Sequence, residues 1–187
     1  MGGPDEEKQR RVTDAAKAVF LKYGYSRVTM NDLAQAAGIS RPALYLIFSK
    51  KEEVFRAVVR ELARETSEEV RQGLGAIKSP VDKLRFVCEV WMVRPFDWIT
   101  QSPETREVYE SSHAFAQDVV EDSLTLFERD LTAAMARLPK GALPRGISPA
   151  HVARLMAGAI VGLKTRCQDS AALRQEIHAL IATMIRA

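Results

Sequence analysis

The chain has 187 residues, 47% of them hydrophobic, with 27 Lys/Arg against 24 Asp/Glu and a net charge of +3. That length suits one compact domain, or a small domain docked on a larger one, with apolar residues enough for a core. No run is long and apolar enough to span a bilayer and the start, MGGPDEEKQRR, is polar, so neither a membrane partner nor a secretory leader is expected and the cytoplasm is the expected location.

Residues 8–23 predict the first helix, where Val12, Ala15, Ala16, Val19 and Phe20 make one apolar stripe and Gly24 ends it. The most informative stretch follows: TMNDLAQAAGISRPALYLIFSKK, residues 29–51. Thr29 is a helix cap and Asp32, three residues on, can reach back to it. Leu33, Ala34 and Ala37 give one apolar face. Gly38 suits the left-handed residue that ends a helix. Ser40 caps the next helix and Pro42 falls in its first turn, where a missing N–H costs nothing. Leu44 and Phe48 point back to the core, while Arg41 and Tyr45 share another face. This is the layout of a helix-turn-helix, whose second helix enters the DNA major groove. Ser49 is expected to cap a further helix, with Glu52 completing a capping box.

That helix spans 50–74, with Val54, Phe55, Val58, Val59 and Leu62 inward and a break at Gly73, Gly75 and Pro80. Ser79 caps a helix over 80–93, stopped by Pro95. A shorter helix over 103–112 starts at Ser102-Pro103, and a long one runs on to about 138. Residues 139–148 read as a loop, Ser148-Pro149 opens a helix to about 167, and 170–186 form the last. No stretch alternates as a strand does. The expected fold is all-α: a three-helix helix-turn-helix domain over 1–49, then a helical ligand-binding and dimerisation domain over 50–187, with helix 50–74 linking the two.

Charge distribution supports this division of labour. Residues 1–60 carry 11 Lys/Arg against 7 Asp/Glu, and residues 61–187 carry 16 against 17. The excess positive charge sits where phosphate contact is expected. Cys88 and Cys167 are lone thiols, expected in a core under reducing conditions. There are only three His, no His/Cys cluster at metal spacing, no Gly-rich phosphate loop and no nucleophile–base pair. No enzyme activity, metal or cofactor is expected.

The N-terminal segment, roughly residues 8–58, resembles the DNA-binding domain of the TetR (AcrR-like) family of bacterial transcriptional regulators. The matching residues are Ala15-Ala16, Phe20, Gly24, Thr29, Leu33-Ala34, Ala37-Gly38-Ile39-Ser40, Leu44-Tyr45, Phe48 and Lys51-Glu52. Ile47 stands where the family often has His or Tyr.

Arg41 suits either a base edge, with guanine O6 and N7 as partners, or a phosphate. Asn31 can reach a base or a phosphate. Leu46 suits a thymine methyl or the support of a neighbouring loop. Ser40, Thr29 and the Tyr45 hydroxyl suit phosphate. The resemblance implies phosphate contacts from Tyr45 and Lys51, and Pro42 completes the expected DNA-contacting set. An operator bound by a two-fold homodimer follows from the small footprint of one such domain. Met156, Ile160, Leu163, Leu173, Ile177, Leu180 and Met184 are the expected dimer residues, since the resemblance implies a four-helix interface from the last two helices. Residues 86–99, FVCEVWMVRPFDWI, are rich in aromatic residues. They suggest an apolar effector cleft, for which the candidates are Val87, Trp91, Phe96, Trp98, Tyr109, His113 and Phe127.

The resulting expectation is a ligand-responsive regulator, a repressor released from a palindromic operator by a small, largely apolar effector. The alternative is an all-helical protein-interaction module that does not bind DNA.

Overall fold

The computed structural model describes residues 4–136 and 138–185, with no strand among them. The helices are α1 (Pro4–Tyr23), α2 (Met30–Ala36), α3 (Arg41–Tyr45), α4 (Lys51–Gly73), α5 (Pro80–Cys88), α6 (Arg94–Gln101), α7 (Pro103–Phe115), α8 (Gln117–Met135), α9 (Pro149–Lys164) and α10 (Ser170–Met184), with a π turn over Glu89–Val93 between α5 and α6. No described helix is long and apolar enough to cross a membrane. The all-α expectation holds.

Several boundaries differ from those expected, each for a local reason. α1 starts at Pro4, four residues early, because Pro4 tolerates a first turn and Asp5, Glu6 and Glu7 complement the helix dipole there. α4 is tied back by Glu53, not Glu52. Glu53 accepts from the Ser49 N–H at 2.7 Å and the Ser49 hydroxyl at 2.9 Å, and the first helical bonds run to the Lys50 carbonyl. The helix therefore begins one residue later than expected, and the reach-back carboxylate moves with it. The largest difference lies at Pro95, which does not stop the chain's helical course. The Arg94 N–H donates five residues back, to the Glu89 carbonyl. The wider π turn gives room where the proline ring would clash with the preceding turn, and helix resumes to Gln101. The expected ends near 138 and at 186 pass residues 137 and 186, which lie outside the described residues.

The chain divides into two compact units, one from residues 1–62 with 99–121 and one from 63–98 with 122–187. α4 runs through the boundary between them. The first unit is centred on Val12, Ala16, Phe20, Leu33, Leu44, Val54, Phe55 and Val58, all fully buried or nearly so. Phe20 meets Phe55 edge-on at 5.2 Å, and Tyr25 packs 4.8 Å from both Phe55 and Phe115. These aromatic contacts bring α7 onto the loop between α1 and α2.

The second unit has its own core. Leu84, Val87, Phe127, Leu131, Met156, Ile160, Leu173, Ile177 and Ile181 are sealed from solvent. Glu89 in the π turn accepts two bonds from Arg174 on α10, both 2.8 Å. The Arg174 pairing holds the Glu89 carboxyl below the usual carboxylate range. Cys88 is buried and Cys167 half-buried, both free. Burial pushes the Cys88 thiol up to about 12, which leaves it a protonated core residue.

Candidate functional site

The site is built from two caps and one reversal in the first unit. At α2, the Thr29 hydroxyl accepts from the Asp32 N–H at 3.3 Å, and the Asp32 carboxylate accepts from the Thr29 N–H at 2.9 Å. Bonds from Thr29 hold the Asp32 carboxyl below its ordinary range. At the far end, the Ile39 N–H reaches the Ala34 carbonyl at 3.0 Å and the Gly38 N–H reaches Gln35 at 3.1 Å. This pair of bonds requires the left-handed φ of +64° at Gly38, where nothing crowds an added Cβ, so conformation alone calls for glycine. One residue later the Ser40 hydroxyl accepts from the Ala43 N–H at 3.3 Å and starts α3.

α3 has only five residues, too few for stability alone. Leu44 is fully buried beneath it and Phe48 follows, also buried. Its other surface stands in solvent: Arg41 and Pro42 are exposed, Tyr45 is 42% exposed and Leu46 is 86% exposed. A leucine left this bare beside an exposed aromatic ring suits a surface meant for contact. Arg41 lies over the Tyr45 ring, 5.6 Å from its centroid, with a long 3.4 Å bond to the hydroxyl. Both polar tips are thus paired weakly with each other and stay accessible. Thr29, Asn31 and Ser40 are exposed on the same unit.

Lys51 is placed differently from the other expected contacts. Its ammonium donates to the carbonyls of Tyr25 and Val28, both at 3.0 Å, and sits 4.2 Å from the Tyr25 ring centroid. Two of its three protons brace the loop between α1 and α2, so at most one is available to a phosphate. Tyr25 itself is buried, and its hydroxyl has no hydrogen-bond partner among the described residues. Burial, with the Glu52 charge nearby, pushes its pKa up to about 12.

A second brace had no sequence signal. Glu107 on α7 accepts from the Ser26 N–H at 2.8 Å, and its carboxylate fills the space beside Gly24. The φ of +78° is what calls for glycine at Gly24, and a Cβ there would lie 2.1 Å from the Glu107 carboxylate and push it aside. Arg56 pairs with Asp118 in the same unit. The Ser26 bond holds the Glu107 carboxyl below the usual carboxylate range. A lowered folded-state pKa means that the brace stabilises above the ordinary Glu pKa, about 4.3, and is lost as pH falls through the lowered value. In an NMR titration the Ser26 amide shift therefore moves with a midpoint below that ordinary value. A midpoint at or above it contradicts the brace.

The expected effector residues do not form one cluster in either unit. Tyr109 and His113 belong to the first unit, edge to face at 4.8 Å. Val87, Trp91, Phe96, Trp98 and Phe127 belong to the second. Val87 and Phe127 are fully buried core, and Trp91 lies 5.9 Å from Phe127. Phe96 and Trp98 are half-buried. Of the expected dimer residues, Met156, Ile160, Leu173 and Ile177 are sealed in the chain's own core and cannot meet a partner. Leu163, Leu180 and Met184 are half-buried against that core. An apolar stripe records which face is buried, not against what, and here the chain itself covers it. The outward face of α9 instead carries Leu155 at 48% exposure, Gly158, Ala159, Val161 at 40% and Gly162.

Comparison with known proteins agrees with this geometry. Residues 12–58 match a family model described as bacterial regulatory proteins, tetR family. The chain is 29% identical over 169 residues to the HTH-type transcriptional activator FasR of Mycolicibacterium smegmatis, covering 90% of this chain and 72% of that one. In fold it is similar to a TetR-family transcriptional regulator of Pectobacterium atrosepticum, with a TM-score of 0.72, 21% identity and coverage of 96% and 92%. It is likewise similar to SmeT, the repressor of the Stenotrophomonas maltophilia multidrug efflux pump SmeDEF, with a TM-score of 0.66, 21% identity and coverage of 95% and 90%.

Proposed function

We propose, from the match of residues 12–58 to the family model described as bacterial regulatory proteins, tetR family, that this chain is a homodimeric repressor of that family whose α3 reads a palindromic operator and whose second unit senses a small effector. The observation that carries the reading is α3 itself: a capped five-residue helix with a sealed inner face and Arg41, Tyr45 and Leu46 in solvent. Arg41 reads a base edge or a phosphate, Leu46 meets a thymine methyl, and Thr29, Ser40 and Tyr45 hold phosphates, with Asn31 and Pro42 beside them. Lys51 acts first as a brace. Such a protein works in the cytoplasm, beside the genome.

A dimer places two α3 helices on successive major grooves. Because α4 runs from the α3 side of the first unit into the second, an effector that shifts α4 alters the spacing of those helices. A coupling of about 1–3 kcal/mol lowers DNA affinity roughly 5–150-fold. Selection from a random duplex library tests the reading. Enrichment of a two-fold palindrome with half-sites about one helical turn or more apart supports it, and a pool with no enriched sequence contradicts it. Repression is read from a reporter carrying that palindrome downstream of its promoter. Since FasR is named as an activator, a rise in reporter output on adding the protein reverses the assigned sign.

A further inference from the structure

The second unit carries an open groove of about 490 Å³ between the C-terminal halves of α4 and α8. That volume lies within the range of small-ligand sites, about 300–1,000 Å³. None of the aromatic residues expected from the sequence lines it. Its apolar lining is Val70, Leu74, Leu126 and Ala133. Its charged lining is three arginines, Arg64, Arg71 and Arg129, against Glu68 and Asp130.

The Asp130 carboxylate within this lining is already saturated. Asp130 is 7% exposed. One of its oxygens accepts from the Ser67 hydroxyl at 2.8 Å and from the Trp91 indole N–H at 3.0 Å. The other faces Arg129 Nη2 and Nε at 3.3 and 3.4 Å, and Arg129 Nη2 also donates to Ser67 at 2.8 Å. The guanidinium is thereby fixed along one edge. Its Nη1 makes no hydrogen bond among the described residues, and the side chain is 63% exposed. Arg71, at the same groove, pairs with Glu68 and is 74% exposed. An oriented guanidinium with a free edge beside an apolar strip is a recognition element for an anion attached to a hydrocarbon.

We propose that this groove binds a single-chain amphiphile with an anionic head, its head on Arg129 and Arg71 and its chain along Val70, Leu74, Leu126 and Ala133, and that this ligand is the effector. The last clause rests on the regulator reading above; the binding itself does not. Ser67, Asp130 and Trp91 are positioning residues for the arginine.

Calorimetry with the full chain tests it, using octanoate, decanoate and dodecanoate below their micellar concentrations. Affinity is expected to rise about fourfold per methylene buried. Dodecanol and dodecyltrimethylammonium are expected to bind at least tenfold more weakly than dodecanoate. R129A is expected to lose tenfold or more for dodecanoate, with R129K recovering only part because the ammonium lacks the fork. Both variants alter an exposed side chain and keep the helical circular-dichroism signal. A133F, which fills the groove from an exposed position, is expected to weaken the whole series. Equal affinity for the alcohol and the carboxylate, or an R129A protein that binds dodecanoate as the native chain does, overturns the site. Arg129-dependent binding that leaves the affinity for the selected duplex unchanged overturns the effector role. A native chain that selects no duplex at all is the separate failure of the regulator reading, and calorimetry is unaffected by it.

Discussion

Replacing Arg41 and Tyr45 together with alanine is expected to abolish sequence-specific DNA binding while leaving the fold intact. Each interaction of this kind with DNA is worth about 1–3 kcal/mol, and in a two-fold dimer the substitution removes it twice. For Arg41→Ala alone that amounts to about 2–6 kcal/mol, or roughly 30- to 10⁴-fold in affinity. The fold does not depend on either side chain. Both are exposed, and their mutual tie is a 3.4 Å bond with a ring contact. Surface changes of this sort stay within about 0.5 kcal/mol. A mobility shift against the selected palindrome measures the first effect and thermal denaturation the second. The single Arg41 variant also separates its two roles. If Arg41 holds a phosphate in each half-site, its removal flattens the salt dependence of binding by about one unit per phosphate and weakens all duplexes alike. If it reads a base, its removal leaves the slope nearly unchanged and relaxes the preference at one position. Unaltered affinity in the double variant makes α3 a mere packing element and places the DNA contact on another surface.

What could be read from the sequence was local chemistry. Thr29 with Asp32, Gly38, and Ser40 with Pro42 act over three or four residues, and each performs in the structure the role its type suggests. The inward residues Phe20, Leu44, Phe48, Phe55 and Val58 followed from helical periodicity. Two kinds of feature were hidden. The first joins distant residues: Ser26 and Glu107 stand 81 apart in sequence, and nothing in either neighbourhood announces the pairing. Lys51 belongs here too, because a lysine at a helix start looks solvated until the Tyr25 and Val28 carbonyls are brought beneath it. The second kind is an override of a local rule. Pro95 ordinarily ends a helix, but a π turn absorbs it, and no propensity signals a π turn. The aromatic run over 86–99 was misleading for a related reason. It supplies core residues such as Val87 and, through Trp91, a donor to Asp130, and none of its residues lines the groove between α4 and α8.

The outward face of α9 gives the second large effect. Met156 and Ile160 point into their own core, so in the proposed dimer the surface of α9 expected to face the partner is the one that hydropathy does not flag: Leu155, Gly158, Ala159 and Gly162 at helical spacing. Nothing lies within 4 Å of a Cβ built at Gly158 or Gly162, which leaves open space in the isolated chain and permits close helix approach across a two-fold axis. Gly158→Arg is therefore expected to fold at least as well as the native chain, since it fills open space and removes a helix-interior glycine worth about 0.8–1 kcal/mol. At the interface it buries an unpaired charge on each subunit, a penalty of several kcal/mol. Sedimentation equilibrium should show a monomer at concentrations where the native chain is dimeric, and affinity for the palindrome should fall at least 100-fold, because one half-site alone is held weakly. Met156→Ala should do the reverse. It opens a cavity in the core and removes about 2–5 kcal/mol of stability, and the melting temperature drops while the surviving protein stays dimeric. A Gly158→Arg protein that remains a dimer, or a Met156→Ala protein that dissociates without losing stability, places the two-fold contact on another surface and returns α9 to the interior alone.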